Sequence, residues 1–166
     1  MPLELVDHRA DAAVKQSWTP FPSSEDYEHP DWWSSASGAV GDPWFVQVLE
    51  NGTEVARVQF DDPGGISPHY ARVPTVGGER LEIQHIEVAA AARRRKVATR
   101  VVRALVNRHP DRRLFAYSGD ADGFWGFLGW EPFYDSRPGP AGRTLFIQPN
   151  PEGLRKCAAR LRPRQL

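Results

Sequence analysis

One stretch, residues 81–108, constrains the fold more than any other part of the chain. Its first eight residues alternate and are rich in branched apolar side chains, which predicts a strand ending at Val88. Alanines and a basic run follow, and apolar residues from Val97 onward then recur at helical spacing. A strand that passes through a basic turn into a helix places free backbone N–H groups beside cationic side chains. The pattern therefore predicts a phosphate-binding turn between a strand and a helix.

The length and charge of the chain limit the classes of protein to consider. A chain of 166 residues is long enough for one domain with a substantial core, and too short for two ordinary ones. We therefore expect residues 1–166 to form a single domain. Equal numbers of basic and acidic residues, 21 of each, give zero net charge, so nothing in this balance drives binding to nucleic acid or to an anionic membrane.

Cysteine usage and hydropathy point to a cellular compartment. Cys157, the one cysteine, excludes an internal disulfide and a cysteine-based zinc site, and we expect it to be a buried apolar residue. We predict no metal site. No apolar run approaches the ~20 residues of a membrane span, and the N-terminus lacks the features of a secretory signal. We therefore expect a soluble cytoplasmic protein without a membrane partner.

The other elements follow from alternation and turn signals. Strands are predicted at residues 2–8, 44–49, 54–60, 113–118, 130–134 and 143–148, and helices within 25–35, 121–128 and 149–162. The pair Asn51-Gly52 predicts a hairpin, because both central residues of such a turn need positive φ. Gly129 is placed to end a helix. This order predicts one α/β domain with a mixed sheet and helices on its faces.

The order of elements, with a basic turn after the fourth strand, resembles the GNAT superfamily of acyl-CoA-dependent N-acyltransferases. The family's pyrophosphate loop reads Arg/Gln-x-x-Gly-x-Gly/Ala; here Arg93 and Ala98 fit, and Lys96 stands where the family has glycine. The family's next helix and strand often read Asn-x-x-Ala-x-x-Phe-Tyr-x-x-x-Gly-Phe. Residues 118–130 keep its alanine, aromatic pair and glycine-aromatic end, but carry serine for the asparagine and Trp125 for the tyrosine.

The resemblance covers roughly residues 44–148 and implies a fold and a cofactor. The implied fold is a mixed, mostly antiparallel sheet of about seven strands, flanked by helices and splayed between the fourth and fifth strands. The implied cofactor is acetyl-CoA or a related acyl-CoA. Its pyrophosphate would bind the N–H groups and arginines of the basic turn, and its pantetheine arm would pair with the fourth strand like an added strand. The candidate cofactor-binding residues are Ile86, Glu87, Val88, Arg93, Arg94, Arg95, Lys96, Val97, Ala98, Thr99, Ser118, Phe124 and Trp125.

Two alternatives stay open for the basic turn, a solvated surface and a nucleic-acid patch. The effect of Lys96 depends on its backbone. If residue 96 has a right-handed helical backbone, a lysine there costs little and adds a cation. If the cofactor must instead approach the backbone closely at this position, the lysine side chain would weaken cofactor binding.

For catalysis, the resemblance points to the central strand. Glu82 falls where histone-acetylating members carry a glutamate, and a carboxylate there can take a proton from an ammonium directly or through water; the alternative is a strand-edge charge paired with an arginine. Strand alternation predicts two faces. One face holds Glu82, Gln84, Ile86 and Val88, and the other holds Ile83, His85 and Glu87. His85 is therefore interpreted as a packed histidine with its hydrogen bonds satisfied. Since Trp125 replaces the family's acidic tyrosine, Tyr117, Ser118 or a water would protonate the departing thiolate. The candidate catalytic residues are Glu82, Gln84, Tyr117 and Ser118.

Residues 17–43 are the candidate substrate segment, because large aromatics in loops often line binding sites. Its acids, Glu25, Asp26, Glu28 and Asp31, are interleaved with aromatics and would suit an amine-bearing substrate through charge and cation–π contacts. The candidate substrate-binding residues are Tyr27, Trp32 and Trp33. A solvated acidic loop whose tryptophans cover the core is the alternative.

The sequence thus predicts an N-acetyltransferase that moves an acetyl or other acyl group from acyl-CoA to a primary amine by direct attack on the thioester. The acceptor would be a small molecule or a peptide. Because members of this family are often dimers, the resemblance also implies that the protein forms a homodimer. Two alternatives are kept: a catalytically weakened GNAT-fold protein that senses CoA or mediates protein interaction, and a tRNA- or nucleic-acid-modifying protein. Zero net charge makes a nucleic-acid partner the weaker of these.

Overall fold

The structure, a computed structural model, describes residues 2–140 and 142–150. The strands are β1 (Leu3–Arg9), β2 (Trp44–Glu50), β3 (Thr53–Asp61), β4 (Arg80–Val88), β5 (Arg113–Ser118), β6 (Glu131–Phe133) and β7 (Thr144–Ile147). The helices are α1 (Pro30–Trp33), α2 (Val97–Arg108) and α3 (Asp122–Phe127), with single 3₁₀ turns at Ala12–Val14 and Ala90–Ala92. The strands form one 7-stranded sheet in the order β1-β2-β3-β4-β5-β7-β6. The predicted fold class, a mixed, mostly antiparallel sheet with flanking helices, is confirmed.

The chain divides into two compact units. The first holds residues 1–66 and 76–114, and the second holds residues 67–75 and 115–166. That the chain acts as a single domain stays a prediction. The predicted C-terminal helix within residues 149–162 and Cys157 lie outside the described residues. In the part of the chain that is described, no helix is both long enough and apolar enough to cross a membrane.

In the first unit, β1 to β4 run antiparallel in chain order. The β2–β3 turn has Asn51 at φ 51° and Gly52 at φ 76°, which confirms the predicted hairpin. Helix α2 packs against β1, β3 and β4 with Val101 and Leu105 fully buried. The ring of Phe60 on β3 lies near the end of this helix, so one face of the sheet is covered by α2.

The segment of residues 17–43 also contributes to the core of the first unit. Phe21 packs edge-on against Trp33 at 5.9 Å and against Phe45 of β2 at the same centroid distance. The helix predicted within residues 25–35 is only four residues long. It begins at Pro30 because a proline disfavours the helical region for the residue before it, here His29.

In the second unit, β7 lies between β5 and β6 and pairs antiparallel with both. Helix α3 ends as predicted at Gly129, whose φ of 79° is the left-handed conformation of a helix cap. The Gly129 N–H donates to the carbonyl of Gly126, and the Trp130 N–H donates to that of Trp125. These two bonds satisfy carbonyls that the end of a helix would otherwise leave free.

Candidate functional site

The fourth strand carries a β-bulge in the region predicted to be catalytic. On the neighbouring strand, Gln59 pairs with His85 and the next residue, Phe60, pairs with Ile83. Gln84 is therefore an extra residue that has no pairing partner on β3. A bulge interrupts the alternation of side chains along its strand and re-aims the inserted residue.

The bulge overturns the predicted division of β4 into two faces. The residues that pair with Arg57, Gln59 and Asp61 of β3 are Glu87, His85 and Glu82. Because every second residue of β3 points to the same face, Glu82 shares a face with His85 and Glu87. Ile86 and Val88 pair with the apolar positions of β3 and lie on the other face. The predictions that Glu82 faces the same side as Ile86 and lies opposite His85 are wrong.

A pocket of about 190 Å³ opens beside the bulge. It is lined by Asp31, Trp32, Ser35, Ser37, Gly38, Gln59 and Gln84. The Oε1 atom of Gln84 is buried and has no hydrogen-bond partner among the described residues. Trp32 Nε1 donates to Gln59 Oε1 at 2.7 Å, which fixes the Gln59 amide and keeps its NH₂ end for another acceptor. The pocket thus combines an amide acceptor, an amide donor, an indole wall and a carboxylate.

The three aromatic residues predicted to bind substrate have different surroundings. Trp32 is 41% exposed and lines the pocket, with its ring 4.4 Å from that of His85. Trp33 is 0% exposed and Tyr27 is 4% exposed, and neither lines the pocket. Burial of their rings does not favour direct substrate contact by Tyr27 and Trp33, and that role stays a prediction. Trp32 is the one of the three whose ring lines the pocket.

Trp33 instead positions the carboxylate of Glu87. The Trp33 Nε1 donates to Glu87 Oε2 at 2.7 Å, and the Glu28 backbone N–H donates to the other oxygen. Burial by itself would raise the pKa of Glu87, but these hydrogen bonds and the nearby His29 and His85 hold that pKa below its ordinary value. The side chain of Glu87 is therefore a carboxylate held in one orientation. The predicted role of Glu87, contact with the cofactor through backbone groups, does not use this side chain.

His85 is packed, as predicted, but its hydrogen bonds are not satisfied. Its ring lies between those of Trp32 and Trp33, and meets the ring of His29 edge-on at 5.4 Å. The Nε2 atom is buried without a hydrogen-bond partner among the described residues, and lies 3.9 Å from Glu87 Oε2. Burial lowers the pKa of His85, the charge of Glu87 opposes this, and His29 lowers it further.

Glu82 lies on the same face, two positions before the bulged residue. It is half-buried and pairs in register with Asp61, so two carboxyl side chains occupy neighbouring positions. Burial, together with the charge of Asp62, raises the pKa of Asp61. Glu82 is not among the residues that line the pocket, and its role as a general base stays a prediction.

The basic turn after β4 holds its arginines in two different ways. Arg93 donates to the carboxylate of Glu28, and Arg95 donates to that of Glu50 at 3.3 Å. Arg94 and Lys96 are exposed and have left-handed backbones at φ 63° and φ 55°. The right-handed alternative for Lys96 is therefore wrong. The two arginines at odd positions are engaged by carboxylates, whereas Arg94 forms no ion pair among the described contacts.

Helix α2 begins immediately after this turn. The Arg100 N–H donates to the Lys96 carbonyl at 3.1 Å, which closes the first turn of the helix. The preceding N–H groups, of Val97, Ala98 and Thr99, have no acceptor within a helix by its geometry. The side chains of Val97 and Thr99 are buried, so any contact of these two residues with a ligand runs through the backbone.

Four predicted residues belong to the second unit. Ser118 is buried, and its hydroxyl accepts the Ala121 N–H at 3.1 Å, which ties the end of β5 to the start of α3. This bond gives Ser118 a structural task that its predicted role as an acid does not include. Tyr117 is half-buried, and its hydroxyl accepts the Ser67 N–H at 2.9 Å. Its role as an acid stays a prediction.

The aromatic pair of α3 differs in burial. Trp125 is buried against Trp130 with a ring distance of 4.8 Å, whereas Phe124 is half-buried beside it. The side chain of Trp125 thus serves the core of the second unit, and direct cofactor contact by its ring is not supported. Phe124 stays a candidate.

Sequence reasoning missed two features of the site. Gln59 could not be found, because its place in the pocket depends on strand pairing rather than on a local pattern. His29 could not be connected with His85 and Glu87 for the same reason, since 56 residues separate the first two. Asp31 was signalled by the acids interleaved with aromatics, and it lines the pocket.

Comparisons with known proteins bear on the family. A family model described as the acetyltransferase (GNAT) family matches residues 8–123. No curated protein sequence matches the chain. The similar solved structures include an acetyltransferase from Thermus thermophilus, with 14% identity over 65% of this chain and 64% of that chain and a TM-score of 0.48. A structure described as a bacterial toxin has 10% identity over 98% of this chain and 99% of that chain, with a TM-score of 0.52.

A third solved structure is diaminobutyrate acetyltransferase from Paenibacillus lautus, in complex with L-2,4-diaminobutyric acid and coenzyme A. It has 16% identity over 88% of this chain and 95% of that chain, with a TM-score of 0.41. At 10% identity and a TM-score of 0.52, the likeness to the toxin structure shows the fold alone. This chain spans 64% of the length of the Thermus protein. The family model, in contrast, covers well over half of the chain. On that match, the chain belongs to the GNAT family of acetyltransferases.

Proposed function

We propose that this protein transfers an acetyl or related acyl group from an acyl-CoA to a primary amine held in the pocket beside Gln84. Membership of the family supports the class of reaction. The observation that carries the choice of acceptor is the buried Gln84 Oε1, which lacks a partner among the described residues and lines a pocket that also holds an indole and a carboxylate. An ammonium group offers several donors and a positive charge, which match an amide oxygen, an aromatic face and an acid.

The size of the pocket favours a slender acceptor. At about 190 Å³ it is smaller than the roughly 300–1,000 Å³ of sites for drug-sized ligands. It suits the amine-bearing end of a molecule, such as a lysine-like side chain or a short diamine, better than a bulky ring system. Ser35 and Ser37 at its wall add hydroxyl groups that can bond to polar substituents near the amine.

The basic turn fits the phosphate end of an acyl-CoA. Left-handed residues alternating with others, as at Arg94 and Lys96, turn successive N–H groups toward one side and form a concavity suited to anions. The start of α2 adds free N–H groups and the positive end of the helix dipole. When bound, an acyl-CoA supplies the acyl group as an activated thioester. Residues 86–88 are the proposed backbone partners of its pantetheine arm.

The residues of β4 would then handle the proton. The acceptor binds as an ammonium and must lose one proton before its nitrogen can attack. Glu82 is the proposed base, acting directly or through a water. The nitrogen–carbon bond forms as the carbon–sulfur bond breaks, and the electron pair leaves with the thiolate. The nitrogen loses a second proton as the amide forms, and this proton passes to the thiolate, directly or through water. A thiol is acidic enough to leave without a strong protein acid, so Tyr117 is not essential to the balance of the step.

Isothermal titration of the intact protein with acetyl-CoA tests the cofactor half. We expect saturable binding that weakens about tenfold in Arg94→Ala, the loss of one charge-assisted hydrogen bond. Arg103→Ala is the matched control, because Arg103 is an exposed arginine of α2 beyond the basic turn. Arg93→Ala and Arg95→Ala should weaken binding less, because each arginine must first release a carboxylate. Absence of acyl-CoA binding to the intact protein would sink the proposal.

Release of free CoA thiol in the presence of a panel of amines tests the chemical half. Asp31→Asn should raise KM for a cationic acceptor without changing the affinity for acetyl-CoA. Glu82→Gln should lower kcat with that affinity unchanged. Asp120→Asn, at an exposed acid of the second unit, is the control for a general loss of charge. Binding of acetyl-CoA without turnover across the panel would favour the CoA-sensing alternative.

A further inference from the structure

We propose that His29, His85 and Glu87 form a binding site for one divalent transition-metal ion, with zinc the best fit. This goes against the sequence-based expectation of no metal site, and does not depend on acyl transfer. His85 and Glu87 lie on one face of β4, and His29 directly precedes helix α1. One ligand atom from each residue lies within 4.8 Å of the others. Two imidazoles and a carboxylate are ligands that zinc accepts.

The distances are close to those that a tetrahedral ion requires. His29 Nδ1 lies 3.5 Å from Glu87 Oε1, and His85 Nε2 lies 3.9 Å from Glu87 Oε2. Zinc bonds of about 2.0–2.2 Å place tetrahedral ligands roughly 3.3–3.6 Å apart. His29 is 58% exposed on a loop, so a small movement of its ring closes the remaining gap.

His85 supplies a second, independent observation. Its Nε2 is buried, and no described residue hydrogen-bonds to it. The rings of Trp32 and Trp33 hold the imidazole in place at 4.4 and 5.1 Å. A buried polar atom without a partner is costly, and a metal ion bound at Nε2 would remove that cost. The same burial excludes bulk water from one side of the site.

Glu87 is held as metal-ligating carboxylates usually are. Trp33 Nε1 donates to one oxygen and the Glu28 N–H donates to the other, and each oxygen keeps a lone pair. Such outer contacts fix a ligand in orientation before the ion arrives. Three protein ligands leave the fourth tetrahedral position open, which is the arrangement of zinc sites that also bind water or a substrate atom.

A competing cation stands at the edge of the cluster. The Arg93 guanidinium lies 3.9 Å from Glu87 Oε1 and pairs with Glu28. A bound metal ion must displace or tolerate this charge. We therefore expect the Arg93→Gln variant to bind the metal several-fold more tightly than the unaltered protein. An ion held elsewhere would not respond in this direction.

Titration of the full chain, freed of metal with a chelator, tests the proposal. Cobalt(II) is the spectroscopic probe and zinc the competitor, and we expect one saturable site with the visible absorption of a tetrahedral cobalt ion. His29→Gln and His85→Gln should each weaken cobalt binding at least tenfold. The matched controls are His69→Gln, another exposed histidine, and His109→Gln, another histidine with a buried and unpartnered nitrogen. Cys157→Ser checks that the thiol is not the ligand.

The outcomes separate cleanly. Loss in both cluster variants with retention in all three controls supports the site. No saturable cobalt binding, or binding that survives His29→Gln and His85→Gln together, overturns it. Because His29 is exposed, its variant should fold normally, and a circular dichroism melt verifies this before the titration is interpreted.

Discussion

Lys96 sits in a backbone conformation that penalises its own side chain. At φ 55° and ψ 28°, it is left-handed at the start of α2. A residue with a Cβ pays roughly 1–2 kcal/mol in this region, whereas glycine enters it freely. Lys96→Gly recovers this free energy but adds freedom to the unfolded chain, at a cost of about 0.5–1 kcal/mol. We expect a net gain of about 0.5–1 kcal/mol in the free energy of unfolding.

Thermal unfolding measures this gain as a rise in Tm of about 1–4 °C. The matched control is Lys96→Ala, which removes the same charge and keeps the Cβ, and should gain only a few tenths of a kcal/mol. If the two variants shift Tm equally, repulsion among the basic residues explains the change, and backbone strain at Lys96 does not limit stability. If Lys96→Gly lowers Tm, contacts of the lysine stem outweigh the strain.

Three further predictions concern stability. Leu105 is fully buried, so Leu105→Ala should lower the free energy of unfolding by about 2–5 kcal/mol in a urea titration. Val14→Ala, at a side chain that is 47% exposed, should change it by less than about 0.5 kcal/mol. Equal losses of stability in the two variants would show that burial does not set the cost. Gly129 has φ 79°, so Gly129→Ala should lower the free energy of unfolding by roughly 1–2 kcal/mol. Gly126→Ala, inside α3 with open space around it, should raise it by about 0.5–1 kcal/mol. A thermal melt that reverses this ranking would rule out a helix cap at Gly129. A hydrogen bond from an arginine of α2 lowers the pKa of Glu50 below its ordinary 4.5, so this stabilisation is present above that value and is lost as pH falls through the lower folded-state pKa. In Glu50→Gln, the free energy of unfolding should therefore fall less steeply with pH below 4.5, as urea titrations at a series of pH values would show. An unchanged dependence of this free energy on pH would count against the ion pair.

The elements of the fold could be predicted because local patterns determine them. The ends of β5 were predicted to the residue, since a short apolar run between a basic pair and a glycine leaves little choice. The hairpin at Asn51 and the cap at Gly129 follow from backbone conformations that few residue types accept. These signals are contained in a few consecutive residues, so no partner strand is needed to interpret them.

The site was harder, because its geometry depends on pairing between distant strands. Alternation along β4 fails at Gln84, and nothing in residues 81–88 marks the bulge. The aromatic segment shows the same limit. Trp32 and Trp33 are adjacent and alike in chemistry, yet one lines a pocket and the other is sealed in the core. Composition predicts that such a segment contains an aromatic wall, but which ring forms the wall is decided by the face of α1 on which each tryptophan lies.

The extra residue of β4 changes the parity of the strand. Glu82 and His85 are three residues apart in sequence yet share a face, because Gln84 has no counterpart on β3. Deleting Gln84 would leave Glu82, Ile83 and His85 in regular alternation opposite Asp61, Phe60 and Gln59, so Glu82 and His85 would keep their common face. The pocket, in contrast, would lose the buried amide oxygen that the bulge places in its wall. We therefore expect the loss of Gln84 to leave the pairing of β3 and β4 intact and to remove the polar wall of the pocket.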